Sequence, residues 1–189
     1  MKKVLLIDNF DSFTYNITDY LRRLGAIVTV KERPMCSMED FLQSDAVLIS
    51  PGPGNPQQMP DLMSIVKTVV GLRPVLGICL GHQALAHHFG SDIVKSVPRH
   101  GKCSKVQKIH DSVLLLDLPV QFSVVRYHSL VVSNLAECLN PILITSDWIL
   151  MAFEHKELPV WGVQFHPEAH LTEFGLQLLR NWLENLDVD

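Results

Sequence analysis

Hydrophobic and polar positions follow two periods along this chain. KVLLID (3–8) opens with a run of apolar residues and reads as a strand buried on both faces. SFTYNITDYLRRLG (12–25) then places Phe13, Ile17, Tyr20, Leu21 and Leu24 at helical spacing and ends at Gly25, a natural C-cap. The pair predicts a βα unit, and the alternation continues. AIVTVKE (26–32), DAVLIS (45–50) and PVLGIC (74–79) read as strands, while DLMSIVKTVVG (61–71) and LGHQALAHHFG (80–90) read as helices that each close on a glycine. Alternating elements of this kind predict an α/β fold, a central, mostly parallel sheet flanked by helices. After residue 90 the pattern changes to short strands: CSKVQKIH (103–110), FSVVRYHS (122–129), PILITS (141–146), WILMAFEH (148–155) and VWGVQFH (160–166). LTEFGLQLLRNWLENL (171–186) closes the chain as an amphipathic helix. The second half is expected to extend the sheet with antiparallel strands. No repeat, low-complexity stretch or linker interrupts the pattern, so residues 1–189 are expected to form a single domain.

Composition narrows the function classes. With 189 residues, 47% of them hydrophobic and 19% charged, the chain can bury a sizeable core. The net charge is −4 and the 16 Lys and Arg are scattered, which argues against a nucleic-acid partner. Arg99, Lys102, Lys105 and Lys108 form the densest basic stretch, but a spacing of three in an extended segment alternates faces and reads as solvated surface. MKKVLLIDNF has too short an apolar run for a signal peptide, and no run approaches a membrane span, so a soluble, cytoplasmic protein is expected. The four cysteines, at 36, 79, 103 and 138, show no Cys-x-x-Cys pairing, which speaks against a disulfide framework or a zinc site. A cysteine is therefore free to act as a nucleophile.

In folds of this kind chemistry collects at the carboxyl ends of the strands. Three ends carry candidate residues. ISPGPGNP (49–56) alternates Gly52 and Gly54 with prolines, which suits a stiff loop that holds backbone N–H groups toward a ligand, or simply a tight connection. It matches neither a dinucleotide nor a P-loop fingerprint. GICLG (77–81) has the Gly-x-Cys-x-Gly form of a nucleophile elbow, the glycines leaving room for a sharp turn that exposes Cys79. Cys79 would then stand at a helix N-terminus, where the dipole favours the thiolate, with the Leu80 N–H placed for a developing oxyanion. GVQFHPEAH (162–170) ends the last strand. His166 and Glu168, two apart in an extended segment, would project the same way around Pro167, giving a base with a carboxylate to orient it. His82, His87, His88 and His128 compete for that role, but only His166 joins a strand end to a carboxylate. Asp11 or Ser12 is expected to cap the first helix; the loop from Asp8 is not assigned a catalytic part.

ISPGPGNP, LGICLGHQALA, RYHSLVV and GVQFHPEAHLTEFG resemble the class I (triad) glutamine amidotransferases, a flavodoxin-like fold. With LLIDNFDSFTYN and HGKCS added, the chain is similar to the small subunits of anthranilate synthase and aminodeoxychorismate synthase over nearly its whole length. The resemblance implies that Cys79 attacks the side-chain amide of glutamine, that His166 protonates the departing ammonia and then activates water, and that Glu168 orients His166. It implies oxyanion donors at Gly52 and Leu80, substrate framing by Gly54 and Gln83, and a backbone site at Ser129 and Leu130 for the amino-acid end of glutamine. It also implies a separate chorismate-using synthase large subunit, with magnesium bound there and no metal or other cofactor in this chain. The branch implied first is anthranilate synthase component II, in tryptophan synthesis; aminodeoxychorismate synthase, in folate synthesis, is the alternative, followed by a stand-alone γ-glutamyl hydrolase. A flavodoxin-like binding module would share the sheet without needing Cys79, His166 and Glu168. The family usually has Ser after the glutamate, where this chain has Ala169.

Overall fold

The computed structural model describes residues 1–186. Eleven strands and five α-helices follow one another as β1 (Lys3–Asp8), α1 (Thr14–Arg23), β2 (Ile27–Glu32), α2 (Met38–Gln43), β3 (Ala46–Ile49), α3 (Pro60–Val69), β4 (Val75–Ile78), α4 (Leu80–His88), β5 (Asp92–Lys95), β6 (Lys102–Lys108), β7 (Gln121–Arg126), β8 (Leu130–Ser133), β9 (Leu139–Thr145), β10 (Leu150–His155), β11 (Val160–Val163) and α5 (Gly175–Glu184). Nine strands form one sheet in the order β2-β1-β3-β4-β11-β10-β9-β6-β7. From β2 to β11 the neighbours are parallel; from β11 to β7 they are antiparallel. This is the α/β architecture the alternation predicts.

Strand alternation sorts the core onto two faces. Val4 and Leu6 of β1 pack with Ile17 and Leu21 of α1 and with Leu178 and Trp182 of α5. Leu5 and Ile7 point the other way, into a cluster with Phe41 of α2, Leu62 and Val66 of α3, and Leu80 and Ala84 of α4. The parallel strands finish level with one another: Ile7 pairs with Ile49, Ile49 with Gly77, and Val163 with Ile78. The segments that follow β1, β3, β4 and β11 therefore leave from one edge, which brings residues more than 150 positions apart into one place.

Some details differ from the sequence reading. α2 and the separate two-stranded sheet of β5 and β8 are additional elements. The strand read through Ser129 stops at Arg126, and the last helix starts at Gly175 rather than near residue 171. The expected cap of α1 takes another form. Asp11 Oδ1 accepts from the Phe13 N–H at 2.8 Å, while Asp8 Oδ1 accepts from the Thr14 hydroxyl at 2.7 Å and from the N–H groups of Phe10 and Asp11. Asp8 thus ties the loop to the end of β1, and Ser12 makes no side-chain cap. Among the described residues no helix is long and apolar enough to cross a membrane.

Candidate active site

The two glycines around Cys79 answer a packing demand. A Cβ on Gly77 would lie 2.4 Å from the backbone carbon of Gly81, and one on Gly81 would lie 2.4 Å from the carbonyl oxygen of Ile49. Side chains at either position would wedge the first turn of α4 away from β3 and β4. With them absent, the chain reverses so sharply that Cys79 takes φ +51° and ψ −98°, a conformation that costs an ordinary residue about 1–3 kcal/mol. Neighbours hold the turn in place: the Cys79 N–H donates to Val163 O at 2.8 Å, and Cys79 O accepts from the Gln83 N–H at 3.1 Å. The strained cysteine therefore sits at the mouth of helix α4, as an elbow requires.

A cavity of about 150 Å³ opens over the thiol. Its walls include Gly52, Gly54, Cys79, Leu80, Gln83, Ser129 and Leu130, so the residues expected to hold substrate meet around the expected nucleophile. Larger hollows exist, such as one of about 340 Å³ bordered by β1, β2 and α2, but its walls contain no cysteine or histidine. Gly52 approaches the elbow because it has no side chain: a Cβ there would meet Asn9 Cβ at 2.5 Å and Leu80 Cδ2 at 2.9 Å. Buried Asn9 braces this loop, its N–H donating to Ser50 Oγ at 2.9 Å and its Nδ2 to Ser50 O at 2.9 Å.

His166 and Glu168 are both buried, and the imidazole is near enough to Cys79 to interact with it. His166 Nδ1 and Glu168 Oε1 are 2.6 Å apart. They come together in a turn rather than in the extended segment expected from their spacing, because β11 ends at Val163. The turn is anchored at several points. The His166 N–H donates to Val125 O at 3.1 Å, and Thr172 Oγ1 donates to His166 O at 2.7 Å while accepting from the Val125 N–H at 3.0 Å. The rings of Phe13 and Tyr127 stand edge-on to the imidazole, with centroids 5.3 and 5.1 Å away, and restrict its rotation. In the sequence Phe13 belongs to a helical stripe and Tyr127 to a strand, and both fall in motifs of the family resemblance, but neither position carries a signal for this contact.

Burial opposes protonation of His166, but interactions with Cys79 and Glu168 outweigh it and push its pKa up to about 10. The ring then holds its proton through the neutral range. Its stabilising contribution is complete below the ordinary histidine pKa of about 6.5 and is lost as pH rises through about 10. Cys79→Ser removes one of the raising interactions, so the ring is expected to titrate at a lower pH. Histidine-ring NMR checks this; an unmoved midpoint would show that Glu168 alone sets it.

The competing histidines have other uses. Burial, with the Arg126 charge next, brings the His128 pKa down to about 4, so it is neutral. Arg126 Nε donates to His128 Nε2 at 3.0 Å, which leaves His128 Nδ1 to donate to Leu130 O at 3.0 Å. His82 is wholly buried against Phe153, and that burial brings its pKa down to about 3. His87 Nδ1 lies 3.3 Å from Ser91 O, and His88 stacks edge-on against Phe89.

Ala169 is buried, and His166 O already accepts from the Thr172 hydroxyl and the Ala169 N–H. A hydroxyl at this position adds little to a turn already held, so Ala169→Ser is expected to leave glutamine turnover within about tenfold. Steady-state kinetics measure it, and a larger change would make position 169 a determinant of triad geometry.

A cysteine on a strand-to-helix elbow, backed by an imidazole and a carboxylate at the carboxyl edge of a parallel sheet, is the layout of a nucleophilic hydrolase. The family description for class-I glutamine amidotransferases matches residues 5–186, and the chain belongs to that family. The Bacillus subtilis protein named aminodeoxychorismate/anthranilate synthase component 2 is 39% identical over 187 residues, covering 96% of this chain and 95% of its own. The Azospirillum brasilense protein named anthranilate synthase component 2 is 41% identical over 189 residues, covering 95% and 94%. Among solved structures, a Thermoplasma acidophilum protein described as a GMP synthase subunit superposes with a TM-score of 0.89 at 28% identity, covering 97% of this chain and 93% of its own.

Proposed function

We propose that this chain hydrolyses glutamine to glutamate and ammonia and passes the ammonia to a chorismate-using synthase subunit. The observation that carries this reading is that Cys79, coupled to the buried His166–Glu168 pair, stands in the wall of a cavity lined by the residues expected to hold glutamine. The names of relatives that match almost end to end support the acceptor side.

The chemistry follows from the layout. Cys79 Sγ attacks the side-chain amide carbon of glutamine, and the oxygen that gains charge faces the N–H groups of Leu80, at the start of α4, and Gly52. His166, already protonated, gives its proton to the departing nitrogen as the C–N bond breaks, leaving a γ-glutamyl thioester. It then takes a proton from water as that water attacks the thioester, and the thiolate leaves. Glu168 keeps the imidazole oriented throughout. Gly54 and Gln83 frame the substrate, and Ser129 and Leu130 hold its amino-acid end. None of these steps calls on a metal or cofactor in this chain; magnesium belongs to the partner's reaction.

Ammonia released into neutral water is mostly ammonium, which has no lone pair for attack, so the acceptor has to receive it out of bulk solvent. Anthranilate synthase is the acceptor we place first, and aminodeoxychorismate synthase the alternative; the double name of the Bacillus subtilis relative covers both. Each large subunit, combined with this chain, chorismate, magnesium and glutamine without added ammonium, separates them. Anthranilate is the expected product. Aminodeoxychorismate instead would move the chain to folate synthesis, and full glutamine turnover with no aminated product from either would favour a stand-alone hydrolase.

A further inference from the structure

Gln164, two residues before His166, is wholly buried and has no part in the steps above. Its Nε2 lies 3.7 Å from Cys79 Sγ, within hydrogen-bonding reach of a sulfur acceptor. Its Oε1 accepts from Gln83 Nε2 at 3.1 Å, and that same nitrogen donates to Leu130 O at 3.0 Å. The direction of this chain of bonds is fixed by its far end. A carbonyl can only accept, so Gln83 must turn its NH₂ toward Leu130; Gln164 then presents its oxygen to Gln83 and its own NH₂ to the sulfur. Arg126 reinforces the arrangement from the other side, because it can only donate, and so commits His128 to donating to the same Leu130 carbonyl.

We propose that Gln164 is a further catalytic residue, one that donates a hydrogen bond to the Cys79 thiolate and fixes its aim, with Gln83 and the Leu130 carbonyl holding Gln164 in that orientation. The inference rests on Cys79 being the nucleophile. A buried amide with no better acceptor binds the charged sulfur more tightly than the neutral thiol, so it favours the reactive form. Gln164 and His166, both on the segment that follows β11, thus each interact with the sulfur, one as a neutral donor and the other as an imidazolium. Gln83 thereby plays two parts, since the side chain expected to frame glutamine also anchors the donor on the nucleophile. Of the ionisable groups near the sulfur, His166 interacts with it, Tyr127 and the neutral His128 line the cavity, and Arg126 bonds to His128.

The test is alkylation of Cys79 by iodoacetamide as a function of pH, read at that residue by peptide mass spectrometry in the wild type, Gln164→Met and Gln164→Glu. Alkylation needs no glutamine, so its outcome is separate from whether glutamine is hydrolysed. Gln164→Met keeps most of the volume and removes the donor; its Cys79 is expected to react about tenfold more slowly at pH 6.5. Gln164→Glu keeps the acceptor for Gln83 but sets a carboxylate oxygen against the sulfur, and should slow the reaction further. Profiles within twofold of wild type in both variants would overturn the proposal. Should neither variant fold, the wild type still decides. The Gln164 side-chain NH₂ resonances are expected to shift when Cys79 is alkylated, and resonances that do not move would overturn it equally.

Discussion

Cys79→Ser, assembled with its synthase partner, is expected to lose glutamine-supported amination by about 10⁴-fold or more while keeping amination supported by added ammonium. The substitution exchanges one polarizable atom for a smaller one in a strained elbow and leaves both flanking glycines in place, so the fold is expected to persist. A serine hydroxyl in the same position meets an imidazole and a glutamine amide placed for a larger, more acidic sulfur, and it ionises far less readily. The two nitrogen sources make the result specific. Co-purification of the variant with the synthase shows that it still folds and docks, and loss with both sources would mean that the synthase itself is impaired; retention of glutamine-supported turnover would remove Cys79 from the reaction.

Gly77→Ala is expected to destabilise the protein by about 3 kcal/mol or more, and to abolish glutamine turnover in whatever remains folded. The new methyl group would meet the Gly81 carbon at 2.4 Å, the Gly81 oxygen at 2.5 Å and the His82 nitrogen at 2.7 Å, all backbone atoms of the first turn of α4. None can move aside without shifting the helix whose start aims Cys79. For a chain of this size such a loss lowers the melting temperature by about 10 °C. Calorimetry measures it, and a melting temperature within about 2 °C of wild type would show that the elbow tolerates a wider turn.

Gly77 and Gly81 illustrate what the sequence makes legible. Their symmetric spacing about Cys79 at a change of hydrophobic period predicts the elbow, because the tight turn and the exposed nucleophile have the same steric cause. The parallel half of the sheet is legible for a similar reason: strands covered on both faces are continuous apolar runs, and helices covered on one face keep the 3.6 period. α2 escapes notice because six residues with one buried side chain, Phe41, make no periodic signal. β5 and β8 escape because DIVK and LVVS are four residues each and pair with one another outside the main sheet. His166 and Glu168 are found for a partly wrong reason, their meeting in a turn being set by Thr172 and Val125, which no local pattern marks. Gln164 lies one residue beyond β11, where a polar side chain in a strand reading has no special meaning until the partner segments are in place.

Incubation with a glutamine-analogue electrophile, followed by intact-mass measurement and peptide mapping, tests most directly whether Cys79 attacks glutamine. One adduct per chain, carried by Cys79, slowed by excess glutamine and lost on His166→Ala, is the predicted result. Labelling of Cys36, Cys103 or Cys138 in preference to Cys79, or an adduct on Cys79 that excess glutamine does not slow, would contradict it.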